Sequence, residues 1–255
     1  MADGQMFDLS GRIALVTGGS RGLGREMVRA FARAGADVII ASRKLDACEA
    51  LAAEVRSTTG RRALAVACHV GEWDQVERLA ERAYAEFGRV DVLVNNAGLS
   101  PVYDHVSNVS EALYDKVLDV NLKGPFRLTA IVGTRMAAGA GGSIIFVSST
   151  ASLSPGANVI PYGAAKAGVN NMTVGFARAF APKVRVNCIV PGPFLTDISK
   201  AWDMQAFRRT AQKSVLLRRG GEPEEIVGAA LYFATDASSF VTGSQLVVSG
   251  GSAGG

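Results

Sequence analysis

Tyr162 and Lys166 stand four residues apart in the segment Pro161-Tyr-Gly-Ala-Ala-Lys166. On a helix, residues at that spacing share a face, so a phenol and an ammonium come together. A phenol with a pKa of about 10 is a poor acid or base at neutral pH. A nearby positive charge favours its phenolate, as does the charge of an oxidised nicotinamide. The pair is therefore expected to carry proton transfer, with the tyrosine pKa lowered. Pro161 suits the first turn of such a helix, where a missing N–H costs nothing. Surface helices often produce this spacing, so context has to support it. The context is Ser148-Ser149, which closes the apolar run Ser143–Val147 and precedes Tyr162 by about a dozen residues. One hydroxyl there can hold a substrate oxygen beside the phenol, while the other caps the strand end.

A second chemical feature follows the first apolar run, in Thr17-Gly18-Gly19-Ser20-Arg21-Gly22-Leu23-Gly24. Glycines permit a tight turn and let the backbone approach a pyrophosphate. The helix that opens there offers free N–H groups and a positive dipole end to the anion. This reads as a dinucleotide site built on Gly18, Ser20, Arg21, Gly22, Leu23 and Gly24. The same residues also satisfy G-x-S-x-G, the nucleophile elbow of α/β-hydrolases, with Ser20 as nucleophile. A hydrolase needs a histidine later in the chain, yet His69 and His105 both lie in the first half. About twenty residues past the glycines, NAD-selective sites carry an acidic residue that binds the ribose hydroxyls. Here Ser42 and Arg43 occupy that place. A serine does not repel a 2′-phosphate, and Arg43 can grip one bidentately, with Arg21 in reach. NADP(H) is favoured, and NAD(H) stays possible.

These side chains need a scaffold that delivers them to one edge. The apolar runs Ile13–Thr17, Val38–Ala41, Ala65–Ala67, Val90–Val94, Ser143–Val147, Val184–Cys188 and Leu246–Val248 read as strands buried on both faces. Gly22–Ala34 and Trp73–Phe87 carry apolar residues at three-to-four spacing and read as helices. Alternation of strand and helix implies an α/β, doubly wound parallel sheet with ligands at the carboxyl ends of its strands. The expected arrangement is a single Rossmann-fold catalytic domain over residues 1–255, with a loosely packed tail at Gly250–Gly255.

Composition excludes other classes. The chain has 255 residues, 48% hydrophobic and 20% charged, with a formal charge of +4. Its Lys and Arg are scattered, the densest pairs being Arg61-Arg62 and Arg218-Arg219, which argues against nucleic-acid binding. Three widely spaced cysteines and only two histidines argue against a disulfide framework or a metal site and for a reducing, cytoplasmic setting. The charge-free stretch from Arg135 to Lys166 is too rich in Gly, Ser, Pro and Asn for a membrane span.

Taken in order, Thr17–Gly24, Asn95-Asn-Ala-Gly98, Val120-Asn-Leu-Lys-Gly124, Ser149, Tyr162-x-x-x-Lys166 and Pro191-Gly192 resemble the short-chain dehydrogenase/reductase family over essentially the whole chain. The likeness implies a seven-stranded sheet of order 3-2-1-4-5-6-7 with helices on both faces, and a homotetramer or dimer. It implies hydride transfer between NADP(H) and a carbonyl or secondary alcohol, as in 3-oxoacyl-carrier-protein reductases. Tyr162 then exchanges the proton and Ser149 polarises the carbonyl. Lys166 binds the nicotinamide ribose and lowers the tyrosine pKa, and Asn121 supports a water-linked proton relay. Asn96, Ala97 and Gly98 line the adenosine ribose and stabilise the sheet, and Pro191, Gly192 and Thr196 lie along the nicotinamide. His69 and Val70 fall at the adenine, where relatives carry Asp in place of His69. A neutral His69 can accept the adenine amine through one ring nitrogen, or else point to solvent. Ser249 likewise replaces a frequent Asp near subunit contacts.

Substrate choice is expected in Leu99–Val109, Thr150–Pro161 and a loop at about 194–215. These supply Val102, Tyr103, Leu153, Phe194, Leu195, Trp202, Met204 and Phe207, a partly apolar set that names no substrate. Two other readings remain, a cofactor-binding sensor or scaffold without turnover and the hydrolase using Ser20.

Overall fold

The structure is a computed structural model that describes residues 6–196, 199 and 204–252. Trp202 lies outside these residues, as does the tail beyond residue 252. Seven strands form one parallel sheet: β1 (Ile13–Thr17), β2 (Asp37–Ser42), β3 (Ala63–Ala67), β4 (Val92–Asn95), β5 (Gly142–Val147), β6 (Val184–Pro191) and β7 (Gln245–Val248). Their order is β3-β2-β1-β4-β5-β6-β7, as expected. The reversal between β1 and β4 opens a crevice at their carboxyl ends, where ligands of such sheets bind.

Strand period sorts the apolar residues onto two faces. Ala14, Val16, Val38 and Ile40 point into one core layer, with Met27, Phe31, Leu51 and Phe233 from the helices α1 (Gly22–Arg33), α2 (Leu45–Thr59) and α8 (Val227–Ala234). Ile13, Leu15, Ile39 and Ala41 point into the other. There they meet Leu79, Leu128 and Val169 from α3 (Trp73–Phe87), α5 (Gly124–Ala138) and α6 (Ile160–Phe180). Each fully buried Leu, Ile or Phe contributes about 1.5–3 kcal/mol.

Burial on both faces holds for the inner strands only. The outer strands β3 and β7 are partly or wholly exposed, because each has a neighbour on one side alone. The run at Val90 also starts early. β4 begins at Val92, and buried Asp91 before it keeps backbone bonds to Ile13 and Ser143 while its carboxylate accepts the Ile13 N–H at 2.8 Å and pairs with Arg89. Arg61 and Arg62 are not simply solvated, since they pair with Asp37 and Glu86. The tail expected to be loose is packed as far as Ser252, where the Gly250 carbonyl accepts the Leu217 N–H at 3.0 Å.

One element had no signal in the periodicity. The helix α4 (Glu111–Leu118) runs through a π turn, Asp119–Lys123, directly into α5. The remaining helix, α7 (Met204–Ser214), belongs to the segment expected to face substrate.

Candidate active site

The glycine turn is held by its neighbours on β4. Asn96 follows β4, and its side-chain amide donates to the carbonyls of Thr17 (2.9 Å) and Gly18 (3.2 Å). The Thr17 hydroxyl accepts the N–H groups of Asn96 and Ala97 and donates to the Val94 carbonyl. These bonds stitch the end of β1 to the end of β4 and fix the turn's shape. The clearances are tight. A Cβ on Gly18, whose φ is +62°, would lie 2.9 Å from the Ala97 Cα. One on Gly24 would overlap the Gly18 carbonyl oxygen. The turn therefore needs glycine at both places. Gly22, with φ of +52°, faces Thr196 with room to spare, which places the segment after β6 beside the turn.

At the end of β2 the Ser20 hydroxyl donates to the Ser42 hydroxyl at 2.8 Å, and Ser42 also meets the Cys48 thiol at 3.1 Å. An elbow nucleophile would instead be hydrogen-bonded to a base. Both histidines are occupied in their own turns, His69 with Gly71 and His105 with Ser107. Arg21 and Arg43 flank Ser42 with exposed side chains. Neither guanidinium has an ion-pair or hydrogen-bond partner among the described residues. Other exposed arginines, such as Arg82 and Arg178, also lack a partner among the described residues, so what sets these two apart is their place beside Ser42 at the glycine turn.

The structure puts Ser149, Tyr162, Lys166 and Asn121 around one point at the carboxyl ends of β4 and β5. Ser149 caps a short three-ten turn, Thr150–Ser152, its hydroxyl accepting the Ala151 N–H at 3.2 Å. Ser148, by contrast, is buried and donates to the Lys166 carbonyl at 3.1 Å, so its hydroxyl is structural. Lys166 is buried, and its ammonium donates to the Val147 carbonyl at 2.8 Å and lies 5.8 Å from the centre of the Tyr162 ring. Burial lowers its pKa to about 8. No carboxylate pairs with it among the described residues.

Asn121 sits on the π turn. There the Gly124 N–H reaches back five residues to Asp119, and the Asn121 amide bonds the Val117 carbonyl at 2.9 Å. Its other bonds clasp Leu99, Nδ2 to the carbonyl at 2.9 Å and Oδ1 from the N–H at 3.2 Å. Gly98 lies between Asn121 and Lys166, since a Cβ there would be 2.9 Å from Asn121 Oδ1 and 3.6 Å from Lys166 Nζ. π turns recur at functional sites, and this one holds a buried amide on Leu99, next to Gly98 and the lysine.

One expectation is corrected, and one left open is narrowed. The Tyr162 pKa is raised, not lowered: burial penalises the phenolate, and the Ser149 hydroxyl offsets this only in part. The chain's own groups thus hold the phenol protonated. His69 does not offer an acceptor. Its Nδ1 accepts the Gly71 N–H at 3.2 Å, and its backbone is tied to Gln75. The neutral ring then carries its proton on Nε2 and presents a donor. Val70, next to it, packs against Gly124 and is buried.

Pro191 closes β6, and Gly192 donates to the Val248 carbonyl at 2.9 Å and packs against Ser249. Of the substrate-facing side chains, Val102 and Leu153 are exposed, whereas Phe194 belongs to the core against Gly221. Leu195 and Phe207 pack on Gly220. The residue sequence reasoning missed is Tyr103 in a structural role, because its hydroxyl accepts the Ile160 N–H at 2.9 Å. The three cysteines are buried and free, with burial pushing Cys68 and Cys188 up to about 11, so the thiols stay protonated. Among the described residues no helix is long and apolar enough to cross a membrane, and no cluster of His, Cys, Asp and Glu is arranged for a metal.

With this geometry in hand, the chain was compared with known proteins. It matches the short chain dehydrogenase family over residues 12–206. Human dehydrogenase/reductase SDR family member 4 is 36% identical over 249 residues, 95% of this chain and 88% of that one. A 3-oxoacyl (acyl-carrier-protein) reductase from Agrobacterium tumefaciens, solved with NADP bound, is 33% identical with a TM-score of 0.92 over 98% of both chains. A 7α-hydroxysteroid dehydrogenase, solved with NADH and a 7-oxo bile acid conjugate, is 31% identical with a TM-score of 0.93, again over 98% of both.

Proposed function

Because the chain belongs to the short-chain dehydrogenase/reductase family, we propose that it transfers hydride between NADP(H) and a carbonyl or secondary alcohol, with Tyr162 as acid and base. The carrying observation is the buried Lys166 ammonium, left without a carboxylate partner beside a half-buried phenol. Keeping such a charge in the core is costly, and perturbed groups of this kind cluster at sites of chemistry.

The residues fit a dinucleotide phosphate. Gly18 and Gly24 permit the close packing that shapes the turn at the N-terminus of α1, whose free N–H groups suit a phosphate. Arg21 and Arg43 supply unpaired cations beside Ser42, where an acidic residue would repel a 2′-phosphate. Asn96, Ala97, Gly98, Pro191, Gly192 and Thr196 border the same crevice. When bound, the nicotinamide cofactor supplies or takes the hydride. The chain does the rest. Ser149 holds the substrate oxygen with its hydroxyl. Tyr162, protonated at rest, donates its proton to that oxygen as the carbonyl is reduced, and takes one back in the reverse reaction. Lys166 stabilises the resulting phenolate, and Asn121 holds the loop at Leu99 against the lysine. The exposed Val102 and Leu153 suit a substrate with an apolar part. The exposed Phe240, Leu246 and Val247 on and near β7 support assembly as a homotetramer or dimer, and the free cysteines suit a cytoplasmic setting.

The test is turnover of NADPH with a panel of ketones and aldehydes, repeated with Tyr162→Phe. A fall of at least about a hundredfold in kcat is expected, with NADPH still bound. Unchanged turnover would end the role of Tyr162. NADPH binding with no turnover on any carbonyl would instead favour a sensor or scaffold.

A further inference from the structure

The helix that carries Tyr162 starts without a cap of its own. Its N-cap residue is Val159, which makes no side-chain hydrogen bond. Apolar residues are the poorest at that position because they satisfy none of the free N–H groups. Pro161 has no N–H to satisfy. That leaves the Ile160 and Tyr162 amides at the start of α6, since the Gly163 N–H already reaches the Val159 carbonyl at 2.9 Å. The Ile160 N–H donates to the Tyr103 hydroxyl at 2.9 Å, across 57 positions of sequence. On its other side the same turn is held by Gly163 resting on Pro155 and the Ala151 carbonyl.

We propose that Tyr103 is a positioning residue for Tyr162: from the segment between β4 and α4, its phenol oxygen caps α6 and fixes the turn from which the catalytic phenol projects. The inference rests on the reading of Tyr162 as acid and base. It also links two parts of the site. The segment of Tyr103 is clasped to Asn121 at Leu99 and presents Val102 at 69% exposure, so a group that meets substrate is tied to the helix that does the chemistry.

Tyr103→Phe removes the oxygen and keeps the ring. Hydrogen exchange followed by mass spectrometry should show the first turn of α6 exchanging several-fold faster, with the other helices unchanged. In steady state, with NADPH and ethyl benzoylformate as probe, kcat should fall about tenfold while KM for NADPH holds, as expected for a misplaced catalytic group. Adding Val159→Ser supplies an N-cap oxygen for the Tyr162 N–H, which re-anchors the same turn by a different bond and should restore part of kcat. A role in contacting substrate would raise KM for the ketone and would not respond to Val159→Ser. The proposal is overturned if exchange in the first turn is unchanged, if the loss lies wholly in KM for the ketone, or if the folded double variant regains nothing. Were Tyr162→Phe to retain turnover, the acid/base reading would fall and the kinetic arm with it. The exchange arm would then decide the cap alone.

Discussion

Replacing Lys166 with methionine should abolish turnover and yet relieve the fold at neutral pH. The ammonium is buried and its pKa is lowered to about 8 from the ordinary 10.5. The unfolded chain therefore binds the proton more tightly than the native one. Between about pH 8 and 10.5 the unfolded state holds more protons, so stability rises with pH across that window, and below it the full penalty applies. That lowering costs roughly 3 kcal/mol at pH 7 and under about 1 kcal/mol at pH 10. Methionine has no such term but loses the bond to the Val147 carbonyl, which costs roughly 1–3 kcal/mol at any pH. The net effect at pH 7 is between neutral and about 2 kcal/mol stabilising, where a buried substitution ordinarily destabilises. The carbonyl term cancels in the pH dependence. Urea unfolding of both proteins at pH 7 and pH 10 should show the advantage of Lys166→Met shrinking by roughly 2–3 kcal/mol. A difference that stays constant between the two pH values would mean that Lys166 is not held against its charge, and the reasoning that made it the mark of the site would fail.

Arg43→Glu should shrink the rise in melting temperature given by NADPH and leave that given by NADH intact, with about a tenfold to hundredfold loss in NADPH affinity. Equal losses for both cofactors would remove Arg43 from the 2′-phosphate. Gly24→Ala pushes a methyl into the Gly18 carbonyl; about 1–3 kcal/mol of stability should go, together with cofactor binding. Normal NADPH titration of that variant would show the turn to be more yielding than its clearances imply. His69 should tolerate the hypoxanthine analogue of NADPH, whose ring carbonyl accepts where adenine's amine donates. His69→Asp should shift the ratio of dissociation constants about tenfold toward NADPH. An unaltered ratio would place His69 away from the base.

What the sequence revealed, and what it hid, follows from the range of the interactions. β1 and α3 fall where the apolar runs and helical spacing put them, because both are set by local pattern. The glycine turn, Ser149, Tyr162 and Lys166 could be singled out because each proposed role demands a residue type at a fixed distance along the chain. Tyr103 was not, since its bond to Ile160 spans the two ends of a long excursion and leaves no trace in spacing. The π turn was hidden for another reason: nothing in the spacing of Asp119–Lys123 marks it, and the hydrogen bonds of Asn121 to Leu99 and Val117 that accompany it form only in the fold. The sign of the Tyr162 shift was misread because charge was weighed and burial was not, and burial is a property of the whole fold. For His69 the type was visible, but its tautomer depended on Gly71 turning back to meet it.

The π turn also sets how far this part of the chain can be edited. From Glu111 to Ala138 the backbone is one continuous rod with a single extra residue wound into it. Each residue of an α-helix advances about 100° around the axis. Deleting one residue between Asp119 and Lys123 would not turn the flanking helices by that angle, because the wide turn from Asp119 to Gly124 would close into a regular one and leave both helices in register. Val117 would stay in the core, but the widened turn that presents the Asn121 amide to Leu99 would be gone. Length here is under the same constraint as residue type. Loops elsewhere in the chain can gain or lose a residue, but this rod cannot lose one without dismantling the site.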